Sequence, residues 1–406
     1  MEPTMAAQQA VMDARPTPAQ HTTTWVWSGY SLAERDRRWD AVRAGGQAAG
    51  FDCIFVPVGN GLDARYLTQL RNAAVVLPTD GRPPVVVTDR GAANAWVPEP
   101  RHTVRAWGPP MAEALREAGM ERARIGVVGL LGGRLSHVRV PDGTVNYTAF
   151  AQVREALPAA TFADATDVVG RVRYVKSAEE ITCLRHAARM AEAGVATLAE
   201  LARPGADAAV VYAAVTARLL GLGSEHYPLA LTIDPLGERP ATRYTNPPLG
   251  RRLRAGDFLT SEVSAVWGMQ VAQEDQPIML GPIPDAWRPA IALQREVFEA
   301  GLAALQPGTT WGAFADRMRG YARDGLRTTV LLHGRGIGDD GPLFTPRASG
   351  ASVRDVRIEE GVAVVWKPTV SSADGRIEFT WGGDVLVTAQ GGEPLFARPH
   401  GLVSIE

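Results

Sequence analysis

The residue whose type and setting point most directly to chemistry is Lys367. The chain carries 42 lysines and arginines, and only two of them, Lys176 and Lys367, are lysine. Lys367 lies in the run Val-Val-Trp-Lys-Pro-Thr-Val, directly after an apolar stretch. An ammonium on a flexible stem is the cation whose pKa moves most readily on burial, which suits acid/base or carbonyl chemistry. Other candidates are weaker. Arg65, Tyr66 and Arg71 cluster in the glycine-started segment GNGLDARYLTQLRN, which reads as a loop and serves either ligand contact or surface charge. His226, in Ser-Glu-His-Tyr-Pro, is either a satisfied structural histidine or an acid/base group. Cys53 and Cys183 are far apart in apolar contexts and read as buried free thiols rather than a disulfide or a zinc site.

The elements that must position these residues form two parts. At 406 residues and 46% hydrophobic, the chain can bury a large core divided between two domains. A formal net charge of −2 without long single-sign blocks favours neither nucleic acid nor an anionic membrane as partner. Residues 1–25 read as a disordered tail, polar and alanine-rich and without the basic start and apolar stretch of a signal peptide. No window approaches the roughly 18 apolar residues of a membrane span, so a cytoplasmic location is expected. Residues 26–167 alternate helix and strand: a helix capped by Ser31 with Glu34 three residues on, a strand over 53–58, two more at 72–77 and 84–88, a helix over 111–118, a strand over 125–130, a helix over 147–156, and an acidic segment at 164–169. Residues 168–406 begin with a long helix after Ser177 and continue through a helix over 208–220 into short strands at 229–233, 258–266, 270–272 and 276–280. Two further helices precede strands at 362–366, 377–381 and 385–388, an α+β plan with helices on one face of a mostly antiparallel sheet.

The ordered blocks RVRYVKSAEEITCLRHAARMAEAG, LARPGAD, RRLRAGDFLTSEVSAVWGMQVAQEDQPIMLG, LQPGTTWGAFADRM, HGRGIGDD, EEGVAVVWKPTV and WGGDVLVT resemble the pita-bread family of aminopeptidase P, prolidase, methionine aminopeptidase and creatinase. The resemblance spans about residues 168 to 395. It implies an α/β creatinase-like N-terminal domain followed by a pita-bread C-terminal domain, with helices on a curved, mostly antiparallel sheet. Lys176 then belongs to a helix entry shared with the family. Metal-dependent members hold two divalent ions with two aspartates, a histidine and two glutamates, which activate a bridging water.

This sequence departs from that set column by column. Glu262 stands at the first aspartate, Ala272 or Gln273 at the second, Arg335 at the histidine with His333 displaced by two, and Lys367 at the first glutamate, before Pro368. The last glutamate falls near Gly382 and Gly383, with Glu378 expected on the same strand and able to reach inward. A further family histidine falls near Tyr244 to Asn246, where none is present. Two cations and a neutral residue among the ligand columns predict no bound metal and no other cofactor. Creatinase, the family's metal-free precedent, uses a histidine and guanidinium-binding glutamates; with Lys367 at such a glutamate, creatine itself is not the expected substrate.

The expectation is therefore a metal-independent, creatinase-like enzyme hydrolysing a C–N bond by acid/base catalysis. Its catalytic candidates are Glu262, Lys367, Arg335, His333 and Glu378, with Gln273, Glu274, Tyr244, His226, Trp267, Trp381, Arg65 and Arg71 contacting substrate and Trp366 a further wall. Arg335 implies a small, anionic, carboxylate-bearing substrate. Lys367 acts as a lowered-pKa amine or, if paired with Glu262, as an ammonium. A non-hydrolytic lyase or cyclase on the same groups, and a non-catalytic scaffold held by a buried ion network, remain the alternatives. The family implies a homodimer whose partner subunit closes the pocket.

Overall fold

The computed structural model describes residues 29–59, 61–89, 93–103, 105–236, 250–345 and 350–405; the tail expected over 1–25, and Tyr244, lie outside them. These residues divide into two compact units, one made of 29–179 with 337–342 and the other of 180–336 with 343–405.

In the first unit the elements run α1 (Leu32–Ala48), β1 (Cys53–Val56), α2 (Gly61–Thr68), β2 (Ala73–Pro78), β3 (Val85–Asp89), β4 (Arg101–Thr103), α3 (Gly108–Glu117), β5 (Arg124–Val127), α4 (Tyr147–Ala156), β6 (Thr161–Asp164) and α5 (Thr166–Tyr174). The six strands form one mixed sheet in the order β4-β3-β2-β1-β5-β6. Its core packs Cys53, Phe55 and Val76 of the sheet against Met111 and Leu115 of α3 and Phe150 and Val153 of α4. Ser31 caps α1 by accepting the Glu34 N–H at 3.1 Å. Glu34 does not return to the cap; its carboxylate pairs with Arg37 and the fully buried Arg38. One expectation is corrected here, and a segment left without a secondary structure acquires one. The segment starting at Gly61 is helix α2 rather than loop, and the acidic segment at 164–169 divides between the end of β6 and the start of α5. In both cases tertiary burial decides, because Asp63 and Ala64 of α2 and Thr166 and Val169 of α5 face the interior.

The segment 337–342 is held in this unit by charge. Arg173 pairs with both Asp63 and Asp340, His137 Nε2 lies 2.6 Å from Asp63, and Lys176 Nζ lies 3.7 Å from Asp340. Burial opposes the charge on Asp63, yet the Arg173 guanidinium outweighs it and holds that carboxyl well below its usual range. Removing one partner of such a group strands a buried charge. Arg173→Met is expected to cost about 3–5 kcal/mol in urea unfolding and to open 337–342 to limited proteolysis; an unchanged midpoint and cleavage pattern would show the cluster to be dispensable.

The second unit contains α6 (Ala178–Leu201, from Glu180 onward), α7 (Ala208–Gly221), β7 (Ala230–Pro235), β8 (Asp257–Trp267), β9 (Gln270–Asp275), β10 (Ile278–Leu280), α8 (Arg288–Ala304), α9 (Trp311–Arg319), β11 (Leu326–Thr329), β12 (Leu332–Gly334), β13 (Leu343–Phe344), β14 (Ala363–Trp366), β15 (Thr369–Ser372), β16 (Glu378–Thr380), β17 (Gly382–Thr388), β18 (Gly391–Pro394) and β19 (Val403–Ile405). The large sheet runs β13-β12-β14-β17-β9-β8-β10-β19, with β7 beside β8 and β18 beside β17; β11-β15-β16 form a separate small sheet. Helix α6 packs closely on the large sheet: a Cβ at Gly194 would stand 2.7 Å from Val263. Helix α8 does the same at Gly301 against Trp366, whose indole donates to the Phe298 carbonyl at 3.1 Å. Both cysteines are buried and neither is in a disulfide, as their apolar contexts indicate. The strands β12, β13, β15, β18 and β19 escaped the sequence pattern because they are two to four residues long, too short for a period to register.

Candidate active site

The site begins with a turn. Strand β8 reverses into β9 through Gly268 and Met269, both at positive φ (54° and 67°), and Trp267 pairs with Gln270 across a two-residue loop. Such a primed turn matches the twist of the strands and sets their register. The register places Glu262 directly opposite Asp275, and Ser264 opposite Gln273. On the other side of β9, Asp275 faces Gly382 of β17. Glu262 and Asp275 therefore stand side by side on one face, and Gln273, two residues from Asp275, shares that face of β9.

Lys367 enters this face from the end of β14. Its Nζ pairs with Glu262 and lies 3.0 Å from Asp275 Oδ2. Lys367 and Asp275 are almost wholly buried, whereas the Glu262 side chain keeps 27% of its surface. Burial works against the ammonium, but Asp275 and Glu262 outweigh it and hold the Lys367 pKa above its ordinary value. The choice left open by the sequence is thus resolved towards an ammonium in the resting protein, not a free amine. Burial pushes Asp275 up to about 6, against the pull of Lys367. The chain beyond Lys367 is fixed from behind: Gln294 of α8 donates to the carbonyls of Pro368 at 2.9 Å and Trp381 at 2.6 Å.

Arg335 follows β12 and hydrogen-bonds the side chain of Gln273. Asp384, fully buried in β17, accepts the backbone N–H of Gln273. Burial pushes Asp384 up to about 7, with Arg335 the largest opposing influence. Glu274 pairs with Arg398; burial raises its pKa well above the ordinary value, with Arg398 opposing. Gly382 and Gly383 leave room for both arrangements. A Cβ at Gly382 would fall 2.1 Å from the Trp366 carbonyl and 2.8 Å from Lys367 Cα, and one at Gly383 2.0 Å from Glu274 Oε2.

The structure thus brings Glu262, Lys367, Arg335 and Gln273 together, with His333 buried on β12 two residues before Arg335. Glu274 is adjacent in sequence but turned to Arg398. Others go elsewhere. Glu378 is not on the strand of Gly382 and Gly383 but on β16 of the small sheet, paired in register with Ser371. Trp267 stacks on His186 with ring centroids 4.5 Å apart, Trp366 faces α8, and Trp381 packs on Phe298 and His400, so the three tryptophans serve the core. His226 is exposed in the segment before β7. Arg65 and Arg71 belong to the first unit, and Tyr244 lies outside the described residues. Asp275, Asp384 and Arg398 were not anticipated. Their signal was present: Gln-Glu-Asp and Gly-Gly-Asp-Val-Leu-Val place carboxylates inside otherwise buried strands, and pairing β8 with β9 across Gly268-Met269 would have put Asp275 opposite Glu262.

A family model described as metallopeptidase family M24 matches residues 182–389. That is more than half of the chain, which therefore belongs to this family. A protein described as an uncharacterized hydrolase/peptidase from Sinorhizobium fredii is 29% identical over 282 residues, 66% of this chain and 70% of its own length. The fold is similar to that of a solved Xaa-Pro dipeptidase from Bacillus anthracis (TM-score 0.73, 18% identity, 91% of this chain and 100% of that one). It is similar too to an X-Pro aminopeptidase from Thermotoga maritima (TM-score 0.73, 15% identity, 90% and 99%) and to the dipeptidase PepE from Mycobacterium ulcerans (TM-score 0.70, 20% identity, 93% and 100%). The family name implies a divalent metal, and the donor set here does not fit one. Lys367 already occupies the carboxylates of Glu262 and Asp275, Arg335 stands beside Gln273, and no group of three His, Cys, Asp or Glu suited to a metal occurs among the described residues. No described helix is long and apolar enough to cross a membrane.

A buried carboxyl with a raised folded-state pKa binds a proton more tightly when folded, so its contribution to stability falls as pH rises from its unfolded towards its folded pKa. For Asp384 this window runs from 3.8 to about 7. Urea unfolding of the wild type and Asp384→Asn should show their stability difference shifting in favour of the variant across that window, and a pH-independent difference would contradict the assignment.

Proposed function

We propose that this M24 chain is a metal-independent hydrolase that cleaves a C–N bond in a small, carboxylate-bearing molecule by acid/base catalysis. The observation that carries the reading is the Lys367 ammonium between Glu262 and Asp275, where a dication would need the same oxygens. Glu262 is the one of the three with an exposed surface and serves as the base that activates water, then as the acid that protonates the leaving nitrogen. Lys367 neutralises the carboxylates and stabilises negative charge developing on the attacked carbonyl oxygen. Arg335, positioned through Gln273, supplies the cation for a substrate carboxylate. The descriptions of relatives as hydrolases or dipeptidases agree with hydrolysis as the reaction class. We also propose that the chain acts as a homodimer.

Elemental analysis of purified protein is expected to show substoichiometric divalent metal, and activity on a panel of N-acyl amino acids should survive prolonged chelation; about two bound equivalents, the complement of a paired-metal site, would sink the reading. Glu262→Gln should lower kcat by about 10²- to 10⁴-fold while the fold persists. Borohydride with keto acids should leave the mass of the Lys367 peptide unchanged, because the ammonium is not a nucleophile.

A further inference from the structure

Two strand ladders meet at the corner that carries Lys367. Strands β14 and β17 pair as far as Trp366 opposite Gly383, and β15 and β16 begin with Thr369 opposite Thr380. One register runs through both and sets Lys367 opposite Gly382 and Pro368 opposite Trp381, yet neither of these pairs belongs to a ladder. Pro368 has no N–H to donate to one. The gap is bridged from α8 by the wholly buried Gln294, whose amide donates to the Pro368 carbonyl at 2.9 Å and to the Trp381 carbonyl at 2.6 Å.

The direction of that amide is decided one residue further out. His400 Nε2 hydrogen-bonds Gln294 Oε1, and Arg295 Nε donates to His400 Nδ1 at 3.2 Å. A guanidinium has no acceptor, so Nδ1 carries the lone pair and the neutral ring carries its proton on Nε2. Nε2–H then donates to Oε1, which turns the amide NH2 towards the two carbonyls. Burial, aided by the Arg295 charge, pushes the His400 pKa down to about 4 and keeps the ring neutral. The ring is seated on Trp381 with centroids 4.4 Å apart, and the His400 carbonyl accepts from Arg295 Nη2 at 3.1 Å. Every donor and acceptor role from Arg295 to the Pro368 carbonyl is thereby fixed.

We infer that His400, acting through Gln294, is a positioning residue for Lys367: its Nε2–H holds the amide that seats the Lys367–Pro368 backbone, and so sets the reach of the ammonium to Glu262 and Asp275. Without that donor the amide loses its fixed direction. Turned over, it sets its oxygen against two carbonyl oxygens and releases the corner. The inference rests on the reading of Lys367 as the centre of the site, and it extends that site to a side chain beyond β18 that touches none of the ion pairs.

The two lysines of the chain make the test direct. Full-length protein labelled with 13C at lysine Cε gives two signals, assigned with Lys176→Arg, and the Lys367 signal is followed through an alkaline titration. His400→Phe keeps an aromatic ring on Trp381 and removes the donor, whereas His400→Gln keeps an N–H donor. In His400→Phe the Lys367 midpoint is expected to fall by about one unit, the change that opening the 3.0 Å contact with Asp275 by about an ångström gives at an effective dielectric constant of about 20. In His400→Gln it should return to the wild-type value. An unmoved midpoint in His400→Phe, or an equal fall in both variants, overturns the inference. Lost packing alone would lower the urea midpoint without separating the two lysine titrations. Should neither variant fold, the wild type decides: the 15N shifts of His400 at pH 7 should be those of a neutral ring protonated on Nε2, and a proton on Nδ1 breaks the relay and overturns the inference. None of these readouts uses a substrate. A protein that turns over no N-acyl amino acid leaves the inference standing, whereas an active hydrolase whose Lys367 is indifferent to position 400 removes it and keeps the hydrolase.

Discussion

The Lys367 ammonium between Glu262 and Asp275 is the interaction on which the rest of the site depends. Two carboxylates facing each other across paired strands repel at short range, and burial multiplies the cost. A dication or an ammonium can relieve it. The lysine brings one charge where a metal brings two or more, so the remaining carboxylates must be paired individually or carry protons. Arg398 takes Glu274, and Asp384 rises to about 7 beside Arg335. At the start of β17 a side chain has no room: a Cβ at Gly382 would meet the Trp366 carbonyl and the Lys367 backbone, and one at Gly383 the Glu274 carboxylate.

A buried ion network is not by itself stabilising relative to a well-packed apolar core. On the proposed hydrolase reading this network in the ten-stranded sheet also does chemistry, with Glu262 as its partly exposed member. Gln294 behind Pro368 and Trp381 gives the lysine a fixed base, and the Gly268-Met269 turn fixes the register of the two carboxylates opposite it. The positions that determine the geometry are thus a helix side chain and a hairpin loop, neither of which touches the ion pairs.

The legibility of the site in the sequence follows the range of the interactions. Ser31 at the start of α1, the bounds of α4, and the succession of long helices and apolar strands were readable because capping and periodicity are local. Glu262, Arg335 and Lys367 were readable as a group only through the resemblance of their surrounding blocks to a known family. Asp275 and Asp384 were not, because the one-residue alternation of a strand assigns faces only once the partner strand and register are known. Glu378 failed for a related reason: the chain turns between Thr380 and Gly382, and a carboxylate that seemed to continue the site strand belongs to another sheet.

By itself the sequence determined the family and the fold class, since these are matters of residue order and type. Only the tertiary structure decided the charge state of Lys367. Its pKa is the balance between desolvation and two carboxylates, one of them 105 residues away in the chain's numbering and the other thirteen positions further on across a hairpin, and no local pattern encodes such a balance.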